Sequence, residues 1–296
     1  MKTDARTIEV DANGIRFVAF ELGSGPLLLC LHGFPDDATT WRRQMAPFAD
    51  AGYRVVAPYM RGYAPTSAAP GGIYQTAALG RDAAALVEAL SPDQQAVVFG
   101  HDWGALAAYG AALFAPSRIR KLVAAAVAYG PRLTTAFATN YAQQKRSWYM
   151  FFFQTLMAEM AVSHDDLRFI RNLWSDWSPA WKYTDADIAP VLQTLARPGV
   201  LEAALGYYRC LFDPSRQDPA LMADQMRLGM EPITVPTLYL HGSNDGCMGL
   251  ELCEGMEEAF PGGLEKTVID GAGHFMHCEK PEQVNARVLE FIGLAD

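Results

Sequence analysis

An aspartate stands at position 102 in the stretch VVFGHDWGALAAYG (97–110), flanked by Gly100 and Gly104 where an apolar run gives way to a small-residue helical run. Glycines at those places leave room for a sharp turn between a strand and a helix, which lifts a nucleophile off the end of a sheet. A carboxylate held there needs no base to attack an sp³ carbon, because it is already ionised; the product is an ester of the protein. A serine attacking the same carbon would leave an ether that water does not remove. An aspartate ahead of a helix is also an ordinary N-cap, favoured by the positive end of the helix. Helpers elsewhere in the chain must decide between the two readings.

Releasing an ester requires a base to activate water, a group to orient that base, and donors for the tetrahedral oxyanion. His274 in DGAGHFMHCEKPEQV follows the last predicted strand, and Asp245 in HGSNDGCMG follows the one before it. Both loops belong at the C-terminal edge of a sheet, where the ligands of open α/β sheets gather. Asp245 also reads as a simple Asx turn ahead of Gly246. In LLCLHGFPDDATTW, Gly33 permits a backbone shape that points the Phe34 amide at the nucleophile turn; with the Trp103 amide this makes a two-donor oxyanion hole. Turning the chain there calls for a cis Phe34–Pro35 bond, since only X–Pro bonds adopt cis at modest cost. His277 makes an H-x-x-H spacing with His274, but two ligands without a third form a weak metal motif. His277 is therefore read as a packing or surface residue, and no metal or cofactor is expected.

Two β-rich runs, RTIEVDA and IRFVAFELG, flank Asn13-Gly14 and predict an opening hairpin. Short apolar runs then alternate with helical stretches up to RKLVAAAVAYG, which predicts an α/β core: a mostly parallel, doubly wound sheet covered on both faces. The alternation stops between about Pro131 and Pro232, where the chain is helical and rich in large apolar and aromatic residues. The strand pattern returns with VPTLYLHGSND and LEKTVIDGAGH, and the amphipathic helix PEQVNARVLEFIGL closes the chain. The expected organisation is a core made of 1–131 and 233–296, interrupted by a helical insertion over 132–232.

A chain of 296 residues, half of them hydrophobic, is long enough for one large core with an insertion. A formal charge of −9 argues against nucleic acid as a partner. The leading MKTDARTIEV lacks the apolar run of a signal peptide, and no stretch reaches the ~20 apolar residues that cross a bilayer. Five scattered cysteines fit reduced thiols without a disulfide or zinc framework. These features predict a cytoplasmic protein with no membrane span; whether it is a monomer or a homodimer is left open by the sequence.

HGFP, RGYAPTS, GHDWG, SND and GAGHF, in that order over nearly the whole chain, resemble the α/β-hydrolase-fold epoxide hydrolases. The order nucleophile, acid, histidine is also that of the α/β-hydrolases. The resemblance implies that the insertion is a cap over the active site and that two cap tyrosines hold the epoxide oxygen. Tyr149 in SWYMFFFQ and Tyr208 in LGYYRCLF match that pattern, with Tyr207 a rival for the second position. Ring opening develops an alkoxide, which a phenol can stabilise and protonate. The substrate would be a small apolar epoxide, in a pocket expected from Phe34, Trp103, Trp148 and Phe275. RGYAPTS departs from the family in lacking a glycine after Tyr63, in a loop read as structural. Haloalkane and haloacid dehalogenases share the aspartate nucleophile. The former usually carry Asn where this chain has Phe34; fluoroacetate dehalogenases carry an arginine and a cap histidine where it has Trp103 and Ser147. A non-enzymatic binding protein would be expected to have lost Asp102, Asp245 or His274, and none is missing.

Overall fold

The computed structural model describes residues 5–294; the first four residues of the leading segment lie outside that range. Its centre is an eight-stranded sheet: β1 (Arg6–Ala12), β2 (Ile15–Leu22), β3 (Leu27–Leu31), β4 (Arg54–Pro58), β5 (Ala96–His101), β6 (Ile119–Ala125), β7 (Thr237–Gly242) and β8 (Leu264–Ile269). Strand order is β1-β2-β4-β3-β5-β6-β7-β8. β1 and β2 form the expected hairpin, closed by Ala12 opposite Ile15, with Asn13 and Gly14 both at positive φ. β2 joins β4 antiparallel, and every pairing from β4 through to β8 is parallel.

Continuous apolar strands mean two covered faces, and the alternation of side chains assigns them. Leu27, Leu29 and Leu31 of β3 and Val98 of β5 enter one core, whereas Leu28, Cys30, Val97 and Phe99 enter the other. The first core contains the packed helices Thr76–Leu90 and Trp103–Phe114; the second is covered by Met45–Asp50 and the closing helix Pro281–Ile292.

Between β6 and β7 lie seven α-helices, from Pro131–Thr139 to Met222–Arg227. They sit on the loops that leave the C-terminal ends of the strands. The Trp174 indole donates to Pro35 O at 2.9 Å, Tyr207 Oη to Arg61 O at 2.8 Å, and Thr194 Oγ1 to Asp37 Oδ2 at 2.6 Å. Trp177 O accepts the amides of Gly246 and His274, each at 3.0 Å. The insertion thus bonds directly to the loops that carry the candidate acid and base. Among the described residues no helix is long and apolar enough to cross a membrane.

Candidate active site

Asp102 occupies the turn between β5 and the helix Trp103–Phe114 with φ 54° and ψ −119°. A non-glycine residue holds such a conformation only where its surroundings impose it. Here the imposition is close packing. A Cβ on Gly100 would fall under 3.0 Å from Gly104 O, and one on Gly104 under 3.0 Å from Leu31 O. The Asp102 side chain does not cap its own helix. Its Oδ1 instead accepts the Phe34 amide at 2.7 Å. The N-cap alternative is therefore not what this geometry contains.

That amide comes from the loop after β3, where Phe34–Pro35 is cis, as expected from the sequence. Gly33 is what lets the loop approach: a Cβ there would lie under 3.0 Å from Oδ1, Cβ and Cγ of Asp102. The Trp103 amide is the first of its helix, one of the N–H groups a helix start leaves without an intrahelical partner. A Gly33→Ala variant is expected to push the Phe34 amide off the carboxylate and lower kcat by about 10²–10³-fold, the cost of losing one oxyanion donor. Steady-state kinetics on a variant with unchanged far-UV circular dichroism would check this; wild-type kcat would contradict it.

His274 is fully buried, with Nδ1 2.9 Å from Asp245 Oδ2 and Nε2 3.5 Å from Asp102 Oδ2. Its Nε2 has no hydrogen-bond partner among the described residues. Asp245 Oδ1 takes the amides of Cys247 and Met248 at 2.7 and 2.8 Å, so the carboxylate is fixed before it meets the histidine. Burial alone would push the His274 pKa down, but Asp245 and Asp102 outweigh it and raise it to about 10. Burial would push Asp245 up; His274 outweighs it and holds Asp245 below the usual carboxylate range. Asp245 and Asp102, on either side of the ring, thus both favour the charged form of His274.

Tyr149 and Tyr208 both line a cavity of about 170 Å³ that Asp102 and Trp103 also line. Their rings lie 5.6 Å apart, and Tyr208 stands 5.1 Å from Trp103 and 5.3 Å from Phe34. Tyr208 Oη has no partner among the described residues, while Tyr149 Oη lies 3.4 Å from Cys247 Sγ. Burial pushes both phenols well above their ordinary pKa; Asp102 adds to this for Tyr208, and Cys247 for Tyr149. Both remain protonated donors at any ordinary pH. Tyr207 points elsewhere, donating to Arg61 O and stacking on Tyr74.

The pocket walls differ in part from the sequence expectation. Trp103 lines the cavity. Phe34 and Phe275 lie behind it: Phe34 packs edge-on to Tyr208 and Phe153, and Phe275 stacks on Trp177 with its ring 5.3 Å from His274. Trp148 is a correction. It is 47% exposed and packs on Phe152 and Phe169, because neighbours on a helix point about 100° apart and Tyr149 takes the inward direction. Leu133 and Phe137 of the helix Pro131–Thr139, together with Val127, Met150 and Met248, close the cavity instead. The i, i+4 spacing of Leu133 and Phe137 was a readable signal of an inward face.

A family model for the alpha/beta hydrolase fold matches residues 26–281. The AB hydrolase superfamily protein YfhM of Bacillus subtilis (strain 168) is 30% identical over 288 residues, 96% of each chain. Epoxide hydrolase A of Mycobacterium tuberculosis is 30% identical over 319 residues, again 96% of each chain. The crystal structure of a Bacillus megaterium epoxide hydrolase in complex with an inhibitor matches with a TM-score of 0.81 at 27% identity, covering 96% of this chain and 99% of that one. Epoxide Hydrolase A from Mycobacterium thermoresistibile matches with a TM-score of 0.81 at 27% identity, over 97% and 98%.

Proposed function

We propose, for a chain that belongs to the α/β-hydrolase-fold epoxide hydrolase family, that its site converts an apolar epoxide to a vicinal diol through an ester on Asp102. The observation that carries this reading is the Tyr208 hydroxyl, buried and unpartnered on the same cavity as the Asp102 carboxylate. An aspartate nucleophile alone serves halides as well as epoxides. A halide leaves without a proton, whereas an epoxide oxygen leaves as an alkoxide and needs an O–H donor across from the attacking carboxylate.

In the first half-reaction Asp102 Oδ2 attacks an epoxide carbon, the carbon–oxygen bond breaks, and a tyrosine hydroxyl delivers its proton to the alkoxide. Oδ1, already on the Phe34 amide, becomes the ester carbonyl oxygen. In the second, His274 takes a proton from water, the hydroxide adds to Cγ of Asp102, and the amides of Phe34 and Trp103 hold the oxyanion. Collapse of this intermediate expels the diol, protonated by His274, and leaves Asp102 as an acid; its proton returns the tyrosinate to the phenol and restores the carboxylate. The helical insertion acts as a cap that keeps bulk water from the ester. The mostly apolar walls fit a small hydrocarbon substituent on the epoxide.

Ester formation removes the Asp102 charge, one of the two that raise His274 towards 10. His274 therefore becomes a weaker acid's conjugate only in the resting enzyme; in the ester its pKa falls and it reaches the neutral, basic form at lower pH. The steady-state fraction of ester is expected to drop as pH rises, with an apparent pKa below 10, measured by intact mass on samples quenched across a pH series. A fraction that rises with pH would overturn the base assignment. The activity itself is tested by incubating the protein with styrene oxide and, separately, with 1-bromobutane. Diol without bromide is the expected result; bromide without diol would make the protein a dehalogenase.

A further inference from the structure

Behind the catalytic groups lies a second set of ionisable side chains, sealed from solvent. Asp36, His101 and His277 each bring a ligand-capable atom within 4.8 Å of the others, and all three residues are buried. Each also keeps one polar atom without a hydrogen-bond partner among the described residues: Asp36 Oδ2, His101 Nδ1 and His277 Nδ1. Buried polar atoms are rarely left bare, and each carries its full desolvation cost when they are.

The neighbours decide where the protons sit. His101 Nε2 is 2.9 Å from His274 O, which only accepts, so Nε2 carries the proton and Nδ1 is a lone pair. His277 Nε2 is 2.6 Å from Thr40 Oγ1, which is 3.3 Å from Cys278 Sγ; the Cys278 thiol donates to Thr40 O at 3.6 Å. With His277 Nε2 donating to the Thr40 hydroxyl and that hydroxyl to the Cys278 sulfur, each group of this chain finds a partner. His277 Nδ1 is then also a lone pair. Asp36 Oδ1 accepts the Asp37 amide at 2.9 Å, which leaves Oδ2 as the bare oxygen of that carboxyl.

We propose that Asp36, His101 and His277 bind one divalent transition-metal ion of the zinc class at a structural site. Two imidazoles and a carboxylate suit zinc, cobalt or nickel, with water available as a further ligand. Burial keeps both histidines neutral, as ligands must be: His101 is pushed down to about 4 and His277 well below its ordinary value. The ion would take the place of the proton that burial and Asp37 hold on Asp36, whose pKa they raise to about 8.

The placement gives the site a purpose. Asp36 follows Phe34 by two residues, His101 directly precedes Asp102, and His277 follows His274 by three. A metal at this point ties together the three loops that carry the oxyanion amide, the nucleophile and the base. Asp245, Cys247 and His274 form another group of possible ligands, but Asp245 and His274 are already bonded to each other.

Because the site is sealed, an ion must enter as the chain folds. The test is to express the full chain in medium supplemented with zinc or cobalt, purify it without chelator, dialyse it, and measure bound metal by mass spectrometry. Wild type is expected to hold one equivalent, reduced at least about tenfold in His277→Gln and in Asp36→Asn. The loaded protein should also melt at a higher temperature than protein refolded in EDTA, a difference that His277→Gln removes. Trace metal in wild type, meaning that the space holds water and a shared proton, would overturn the proposal. So would a full equivalent in His277→Gln, since the ion would then not depend on that ligand. If His277→Gln does not fold, the wild-type stoichiometry decides.

Discussion

Mixing an epoxide with a His274→Ala variant is expected to give a protein heavier by the mass of one substrate, with the adduct on Asp102 and almost no diol. The first half-reaction needs an ionised carboxylate and an acid for the alkoxide, and neither comes from His274. Water addition to the ester does need a base, and general bases contribute typically 10²–10⁴-fold. The ester should therefore form within the first turnover and persist. Removing the imidazolium also leaves Asp102 and Asp245 facing each other without a cation between them. Asp245 keeps its two amide donors and stays satisfied, but Asp102 loses an attractive neighbour. Some slowing of alkylation is expected for that reason, smaller than the loss in hydrolysis. His274→Gln retains an amide that can donate to Asp245 and should trap the same ester. Normal turnover in either variant, or binding without an adduct, would remove His274 from the role of base.

The parts of this site that were legible in the sequence are those whose constraint is local. Gly100, Asp102 and Gly104 must be neighbours in the chain because the turn itself demands it, and Gly33 must precede Phe34 because no side chain fits against Asp102. The alternation of apolar strands and helices likewise signals a sheet covered on both sides, which the two cores of the sheet bear out. What was not legible depends on which way a helix faces. SWYMFFFQ is apolar or aromatic almost all round, so its periodicity does not separate Trp148, which faces out, from Tyr149, which faces in. Tyr207 and Tyr208 posed the same problem, and tertiary contacts divide them: Arg61 O takes one hydroxyl and no described residue takes the other. The grouping of Asp36, His101 and His277 was invisible for another reason. Its members sit on three distant segments, and no spacing rule links them.

That division of the tyrosines sets the second expected result. Tyr149→Phe and Tyr208→Phe each delete one hydroxyl while keeping the ring and its packing, so any loss belongs to the donor. By analogy with an oxyanion donor, each is expected to slow alkylation on the order of 10–10³-fold, and the double variant should be nearly inactive. The two should not be equal. Tyr208 Oη is free to bond the epoxide oxygen at once, whereas Tyr149 Oη must first give up Cys247 Sγ. Tyr208→Phe is therefore expected to cost more than Tyr149→Phe. Hydrolysis of an ester already formed should change little, since neither hydroxyl serves the His274 step. Tyr207→Phe is the control: it breaks the bond to Arg61 O, with a stability cost of about 1 kcal/mol, and should leave alkylation at the wild-type rate. Single-turnover kinetics with tryptophan fluorescence can follow both steps, because Trp103 lines the same cavity as Asp102. If the double variant opened epoxides at the wild-type rate, the leaving oxygen would have another proton donor. A loss confined to ester hydrolysis would move both tyrosines to the second half of the cycle.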